Sequence, residues 1–153
     1  MKIVEANRVD LLPMLGWFSS QQQVDEWAGH GFVFPYDQQS FMGDLGLDER
    51  HSYAIVSCSA DCLAFGQFYP RSGYCHLCRL VVNPLFRGRG IVTTLLTDLC
   101  RIGKKTLLTD QFSLFVMENN LPAQSAYRRF GFRIEQDPQQ RPVSGCLFMT
   151  KKQ

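Results

Sequence analysis

The feature that most restricts the fold is a strand–turn–helix segment in the middle of the chain. Residues 74–82 are mostly apolar and predict a strand, and Asn83-Pro84 stops it because proline has no N–H to offer a sheet. A helix is predicted from residue 88 to about residue 102. Its apolar side carries Val92, Leu95, Leu96 and Leu99. The segment therefore predicts a strand that feeds, through a short glycine-containing turn, into an amphipathic helix.

The turn between them, Arg87-Gly88-Arg89-Gly90, has the composition of a phosphate-binding loop. Glycines let the backbone approach a ligand, and the N–H groups of a first helical turn have no partner inside the helix. Residues 87–92 are thus a candidate phosphate cradle, with a plain tight turn as the alternative. No Gly-Lys-Ser/Thr follows, and the G-x-G-x-x-G pattern fails at Thr93, which excludes a P-loop and a dinucleotide fingerprint.

The rest of the chain predicts a mixed α/β domain. The predicted strands are residues 2–6, 53–58, 63–69, 74–82, 112–117, 132–135 and 146–150. The predicted helices are residues 8–18, a helix from a Ser20 cap to residue 28, a helix from an Asp37 cap to about residue 45, residues 88–102, and residues 121–130. Arg141-Pro142 is predicted as a loop. This order combines an antiparallel meander with a parallel strand–helix–strand crossover.

Size and charge restrict the classes of partner. The 153 residues suit a single domain, 1–153, and the net charge of +2 argues against a nucleic-acid binder held mainly by phosphate contacts. The first residues lack the apolar core of a signal peptide, and no stretch has membrane-spanning length. We therefore expect a cytoplasmic protein with no nucleic-acid or membrane partner.

Six cysteines raise the question of a metal site. The spacings of Cys58 and Cys62, and of Cys75 and Cys78, roughly mimic zinc knuckles. Cys75 and Cys78, however, lie in a predicted strand, where residues three apart face opposite sides of the sheet. The sequence therefore favours buried, reduced thiols and no metal.

A second motif, farther along the chain, points to a specific family. Asn120, Ala123, Tyr127 and Gly131-Phe132 form the pattern Asn-x-x-Ala-x-x-x-Tyr-x-x-x-Gly-Phe on a predicted helix. Together with Val82-Asn83-Pro84 and the turn that follows it, this pattern resembles the GNAT superfamily of N-acetyltransferases, in its bacterial form. The departure is Val92, which stands where the family has glycine or alanine.

The resemblance implies a GNAT-type acyl-CoA N-acyltransferase fold, with a central mixed sheet of six to seven strands flanked by helices. It also implies acetyl-CoA as co-substrate. The backbone of Leu80, Val81 and Val82 would pair with the pantetheine arm. Asn120 would hydrogen-bond that arm or help to fix the gap between the two splayed parallel strands. The pyrophosphate would lie on the cradle, formed by Arg87, Gly88, Arg89, Gly90, Ile91, Val92 and Thr93.

The implied reaction is direct attack of a primary amine on the thioester carbonyl, through a tetrahedral intermediate. Tyr127 would protonate the leaving thiolate, because a tyrosine of ordinary pKa near 10 is protonated at neutral pH. A backbone N–H at Val82 would stabilise the oxyanion. His76 and Glu118 are the candidate bases, with plain sheet packing as the alternative for His76.

The acceptor pocket is less defined. The resemblance points to Trp27, Phe32 and Phe34, with packing against the sheet as the alternative. A peptide N-terminus, a lysine side chain, a polyamine and an aminoglycoside all remain open, as does a homodimer. The competing function is an acyl-CoA-binding sensor or regulator that keeps the cofactor groove without turnover.

Overall fold

A computed structural model describes residues 1–140 and 145–153 of the chain, so the predicted loop at Arg141 and Pro142 lies outside the described residues. The strands are β1 (Lys2–Glu5), β2 (His51–Val56), β3 (Cys62–Arg71), β4 (Tyr74–Val82), β5 (Gln111–Met117), β6 (Arg133–Ile134) and β7 (Cys146–Lys152). They form one seven-stranded sheet in the order β1-β2-β3-β4-β5-β7-β6. Only the β4–β5 pair is parallel among these described neighbours, which confirms the predicted mixed α/β sheet.

The helices are α1 (Gln21–Ala28), α2 (Gln38–Leu45), α3 (Ile91–Leu107) and α4 (Leu121–Phe130). The predicted caps are present: the Ser20 side chain accepts from the Gln23 N–H, and Asp37 and Ser40 form a reciprocal capping box. Among the described residues, no helix has the length and apolar character needed to cross a membrane.

The predicted first helix, residues 8–18, is wrong. Only a short 3-10 helix, Leu12–Gly16, forms there. The Asn7 side chain binds both the backbone N–H and the carboxylate of Asp10, at 2.9 and 2.7 Å, which favours a turn over a helix. Pro13 also lacks the backbone N–H that a longer α-helix would need for a hydrogen bond at this position.

The predicted boundaries of α3 are also wrong at both ends. The helix begins at Ile91 because Gly88 and Gly90 have left-handed backbone conformations, with φ of 76° and 75°. It continues beyond residue 102 to Leu107, and Gly103 lets it pack closely against β4. A Cβ at this glycine would lie 2.5 Å from the Cys75 sulfur.

The sheet buries a core on each face. α3 and α4 cover one face, and the segment 12–45 with α1 and α2 covers the other. The first core includes Leu77, Leu95, Leu99, Phe112 and Phe132. The second includes Met14, Val24, Phe32, Phe41 and Phe65.

A β-bulge divides β4 into two halves. Phe65 pairs with Val81 and Gln67 pairs with Cys78, so two residues of β4, Arg79 and Leu80, lie opposite the single residue Gly66. Arg79 adopts a left-handed backbone, with φ of 51°. The bulge reverses the alternation of side chains, a feature that the sequence pattern does not predict.

β4 and β5 separate directly after their paired segment. Their parallel register runs through Cys75–Phe112, His76–Ser113 and Leu77–Leu114 and then ends, while both strands continue. Beyond Leu77 the edge of β4 that faces β5 is therefore without a strand partner among the described residues.

An ion pair attaches the segment after β6 to the end of β3. Arg71 and Asp137 form a bidentate pair with both N–O distances at 2.8 Å, and each side chain is about 10% exposed. The Arg71 guanidinium also lies over the ring of Phe115, 5.0 Å from its centroid. The pairing lowers the pKa of Asp137.

Asp137→Asn should lower the free energy of unfolding by about 2 to 3 kcal/mol, because it leaves the Arg71 guanidinium nearly buried without a carboxylate. Asp98→Asn is the matched control, since Asp98 pairs with the half-exposed Arg101 and should lose less than about 0.5 kcal/mol. Urea denaturation measures both. Equal losses would show that the Arg71–Asp137 pair contributes no more than a surface pair.

Candidate functional site

The gap between β4 and β5 is the mouth of a large cleft. Its volume is about 1100 Å³. One end is lined by the glycine turn and the start of α3, the middle by β4, β5 and α4, and the other end by Cys78, Arg79 and Trp27. The site residues predicted from the sequence that line it are Leu80, Val81, Val82, Arg87, Gly88, Gly90, Ile91, Val92, Thr93, Asn120, Tyr127 and Trp27.

The glycine turn presents backbone donors to the cleft. Gly90 is the N-terminal cap of α3, and its carbonyl accepts from the Thr93 N–H at 3.1 Å. Within the described chain, no protein acceptor pairs with the amide N–H groups of residues 88–92. A Cβ at Gly88 or Gly90 would meet no atom within 4 Å, so the space in front of the turn is open. These features are those of an anion site at a helix N-terminus.

The β4 edge leads from this turn along the cleft. Val81 and Val82 lie opposite Phe65 and Ala64 of β3, and the β4 edge away from β3 faces the gap. Backbone groups of successive strand residues point to opposite edges, and the Asn83 N–H donates to the Leu63 carbonyl of β3, so the N–H and C=O of Val82 point to the gap. An extended ligand arm can hydrogen-bond to such an edge as an added strand would. Arg89, predicted to lie in the cradle, is exposed, does not line the cleft, and places its guanidinium 5.2 Å from the centroid of the Phe86 ring.

The start of α4 forms the opposite wall. The Asn120 side chain caps this helix by accepting from the Ala123 N–H at 3.2 Å, and it also lines the cleft. Gln124 is buried and donates to the carbonyls of Met117 and Glu118 at 3.0 and 2.8 Å. Gln124 thus fixes α4 to the end of β5, a role that the sequence analysis missed because glutamine is common on exposed helix faces.

Tyr127 lies on α4 and faces the cleft with only 8% of its surface exposed. Burial raises the pKa of its hydroxyl to about 12, so the group is protonated at any pH near neutral. No described residue forms a hydrogen bond with this hydroxyl, which leaves it available to a bound molecule. Its protonation state is that of a general acid.

His76 lies on the other face of the sheet from α3 and is only 2% exposed. Its Nδ1 is 2.8 Å from the Ser113 hydroxyl, and its ring packs edge-on against Tyr69 and Phe115. Burial, together with the charge of Arg71, lowers the pKa of His76 to about 3. The imidazole is therefore neutral and weakly basic, and it does not line the cleft.

Glu118, the other candidate base, lies just beyond the end of β5. It is exposed, and it does not line the cleft, although its neighbours Met117 and Asn119 do. Its backbone N–H donates to the Gly145 carbonyl at 2.8 Å. The structure therefore places it near the rim.

The predicted acceptor residues separate into two groups. Trp27 lines the cleft, and its indole N–H is buried without a partner among the described residues. Phe32 and Phe34 do not line the cleft. Phe32 is 3% exposed and packs against Trp27 and Phe41. Trp17 and Glu26 also line the cleft, beside Trp27.

The cysteines are all free thiols, and Cys62, Cys75 and Cys100 are buried whereas Cys58 is exposed. Burial raises the pKa of each buried thiol to about 12. Cys75 contacts Gly103 on one side of the sheet, and Cys78 accepts from the Arg50 guanidinium on the other. Within residues 1–140 and 145–153, no group of three metal-ligating side chains is assembled.

Comparison with known proteins identifies relatives of this arrangement. The sequence model of the acetyltransferase (GNAT) family matches residues 16–132. The structure is similar to the PaiA N-acetyltransferase of Thermoplasma acidophilum in complex with coenzyme A, with a TM-score of 0.74 and 17% identity over 99% of this chain and 98% of that one. It is also similar to the ribosomal-protein-S18-alanine N-acetyltransferase of Escherichia coli, with a TM-score of 0.66 and 18% identity over 99% and 92% of the two chains.

The buried His76 should make the protein less stable in mild acid. An unfolded chain binds a proton at histidine near pH 6.5, whereas the folded protein keeps His76 neutral down to about pH 3. The free energy of unfolding therefore falls as pH decreases through this window. Between pH 7 and pH 5, the wild type should lose about 2 kcal/mol more than His76→Gln, as measured by urea denaturation. An equal loss of unfolding free energy in the wild type and in His76→Gln would mean that folding does not change the pKa of His76.

Proposed function

This chain belongs to the acetyltransferase (GNAT) family, and from that membership we propose that it transfers an acetyl group from acetyl-CoA to a primary amine. The proposal rests on the observation that the groups needed to bind and use acetyl-CoA lie in one continuous cleft. A single cleft connects the amide donors of the glycine turn, the open edge of β4 and the hydroxyl of Tyr127. An anion site, a strand-like edge and an acid in that order match the pyrophosphate, the pantetheine arm and the thioester of acetyl-CoA.

In this proposal the pyrophosphate lies on the free amides of residues 88–92, with Arg87 adding positive charge. The pantetheine arm pairs with the backbone of Leu80, Val81 and Val82, and Asn120 supports it from the opposite wall. Val92 does not obstruct this arrangement, because the donors are backbone groups. The relative from Thermoplasma acidophilum was solved with coenzyme A, which supports a cofactor of this chemistry.

The proposed reaction is an attack by the neutral amine nitrogen on the thioester carbonyl carbon. A C–N bond forms, the carbonyl oxygen becomes negative and is stabilised by the Val82 N–H, and the C–S bond then breaks. Tyr127 gives its proton to the departing sulfur and recovers one from the amine nitrogen through solvent or a base. The balance is one acetyl group moved and one thiol released.

Glu118 is the better placed of the two proposed bases. It is exposed at the rim, so it can take the amine proton through water. His76 is enclosed and its neutral form is weakly basic, because burial opposes its protonation. A role for His76 in proton transfer would therefore require substrate binding to change its surroundings.

The remaining proposals concern the whole protein. We expect residues 1–153 to act as one acetyltransferase domain in the cytoplasm. The acceptor is an amine, either on a small molecule or on a peptide or protein. The ribosomal-protein-alanine acetyltransferase among the structural relatives supports a peptide amine as one option.

Gly90→Ala should weaken acetyl-CoA binding at least about tenfold. Alanine in the left-handed conformation costs about 1–2 kcal/mol, and its methyl group would enter the open space before the amide donors. Gly73→Ala is the matched control, because Gly73 also has a positive φ (82°) and open space around it but lies in the turn between β3 and β4. Calorimetric titration with acetyl-CoA measures both. Equal affinities for the two variants would place the cofactor elsewhere.

Release of free thiol from acetyl-CoA, measured against a panel of amines, tests the reaction itself. Tyr127→Phe should lower kcat by about 100-fold or more and leave the Kd of acetyl-CoA within about threefold, because only the acid is removed. Tight acetyl-CoA binding with no thiol release on any amine would instead favour a sensor.

The same assay, followed against pH, separates the bases. If Glu118 is the base, Glu118→Gln removes the acidic limb of the kcat profile and His76→Gln keeps it. If neither variant changes the profile, no side chain of these two acts as base, and the amine must lose its proton to solvent.

A further inference from the structure

The buried face of α4 carries a polar side chain beside the proposed acid. The buried residues of this helix are Gln124 and Tyr127. Because they lie three positions apart, they are neighbours on one face, about 4.5 Å apart along the helix axis. Glutamine is an uncommon residue at a buried helix position, because its amide needs hydrogen-bond partners there.

The partners of the Gln124 amide lie at the end of β5. Its Nε2 donates to the Met117 carbonyl at 3.0 Å and to the Glu118 carbonyl at 2.8 Å. Within residues 1–140 and 145–153, no other side chain of α4 forms a hydrogen bond to a residue outside the helix and its cap. The Gln124 amide is therefore the hydrogen-bonded link between α4 and the sheet.

The end of β5 is a fixed point for this link. The pairing of β5 with β4 ends at Leu114, but its pairing with β7 continues to Met117. The Glu118 N–H also donates to the Gly145 carbonyl at 2.8 Å. β5 thus remains anchored in the sheet where β4 separates from it, and Gln124 attaches the opposite wall of the cleft to this anchored end.

The position of the Tyr127 hydroxyl depends on the placement of this helix. The Tyr127 ring packs edge-on against Phe132, with 6.2 Å between the ring centroids. Since the hydroxyl has no hydrogen-bond partner among the described residues, its place in the cleft is set by α4 and by the packing of the ring. Proton transfer to a leaving sulfur requires hydrogen-bond distance, and a displacement of about 1 Å can lower a rate about 100-fold.

We propose that Gln124 is a positioning residue, which sets the distance between the Tyr127 hydroxyl and the thioester sulfur by fixing α4 to the end of β5. This inference rests on the proposed acetyltransferase function, with Tyr127 as its acid. Tyr127 gives its proton to the departing sulfur, and Gln124 takes no part in that transfer. Gln124 does not line the cleft, as expected of a residue that acts through its neighbour.

The first test replaces the amide by an apolar group of similar length. Gln124→Met should lower kcat for thiol release about tenfold or more and keep the Kd of acetyl-CoA within about threefold, because the glycine turn and the β4 edge are unaltered. Gln21→Met is the matched control. The Gln21 amide also ties a helix to the main chain, by donating to the Phe32 carbonyl at 2.8 Å, but this residue begins α1 and does not line the cleft. Its kcat should change less than about twofold.

A double-mutant cycle with Tyr127→Phe tests whether Gln124 acts through the tyrosine. Without the hydroxyl there is no acid to position, so Gln124→Met should lower kcat less than about twofold in the Tyr127→Phe background. Gln21→Met should have the same small effect in both backgrounds. A general structural defect would instead lower kcat by the same factor with and without the hydroxyl.

A second readout does not depend on turnover. Amide hydrogen exchange, followed by mass spectrometry, should be faster in residues 121–127 of Gln124→Met than in the wild type, while exchange in α3 stays unchanged. Gln124→Ala is made in parallel, because alanine is the best helix former and preserves α4 if methionine is not accommodated. The same losses of kcat and of exchange protection are expected for it.

The outcomes distinguish the inference from the function on which it rests. A wild-type kcat in Gln124→Met, an equal loss of kcat in both Tyr127 backgrounds, or unchanged exchange in α4 would overturn the positioning role and leave the acetyltransferase standing. If Tyr127→Phe keeps the wild-type kcat, the assignment of the acid fails and the inference fails with it, but the transfer reaction remains. If the wild type releases no thiol with any amine of the panel, the proposed function and the inference both fail.

Discussion

Opposite Gly66 of β3, the strand β4 has two residues instead of one. The organisation of the cleft depends on this extra residue. The extra residue bends β4 at Arg79 just where its pairing with β5 ends. A straight β4 would continue to pair with β5, and the edge at Val81 and Val82 would be filled by the neighbouring strand instead of facing a cavity. Arg79 holds the left-handed conformation of the bulge through bonds to the carboxyl end of α2, where the partial charge is negative.

The bulge also determines which side chains of β4 face each side of the sheet. Before it, Cys75 and Leu77 face α3, and after it Leu80 and Val82 do. Cys78 and Arg79 both face the side of α1 and α2, where Arg50 joins them. The glycine turn therefore offers neutral backbone donors at one end of the cleft, whereas Arg79 and Glu26 bring charges of opposite sign to the other. Tyr127, on α4, lines the same cleft.

Structural features that depend on neighbouring residues can be predicted from this sequence, whereas features that depend on long-range contacts cannot. The caps at Ser20 and Asp37, the strand at Tyr74–Val82 and the helix Leu121–Phe130 depend on neighbouring residues, and the structure confirms them. The bulge has no such local signal, because arginine is not a residue that favours a left-handed backbone. Arg79 reaches Gln67 of β3 and the end of α2, so its position depends on long-range packing.

Burial explains the remaining differences between the predicted and the observed positions of the site residues. Phe32 belongs to the core beneath the cleft, and an aromatic residue near a predicted pocket has the same sequence signature whether it lines the pocket or supports it. His76 occupies a strand position that suits a base by spacing alone, but the packing of Tyr69 and Phe115 around it is set by tertiary structure. The predicted helix 8–18 failed because side-chain bonds of Asn7 compete with helical ones.

The most direct measurement of the central claim is a crystal structure of the protein with acetyl-CoA or CoA bound. We predict pyrophosphate oxygens within hydrogen-bond distance of the amide nitrogens of residues 88–92, a pantetheine arm paired with the backbone of Leu80–Val82, and the sulfur beside the Tyr127 hydroxyl. A cofactor bound outside the gap between β4 and β5, or one whose sulfur lies away from Tyr127, would contradict the account.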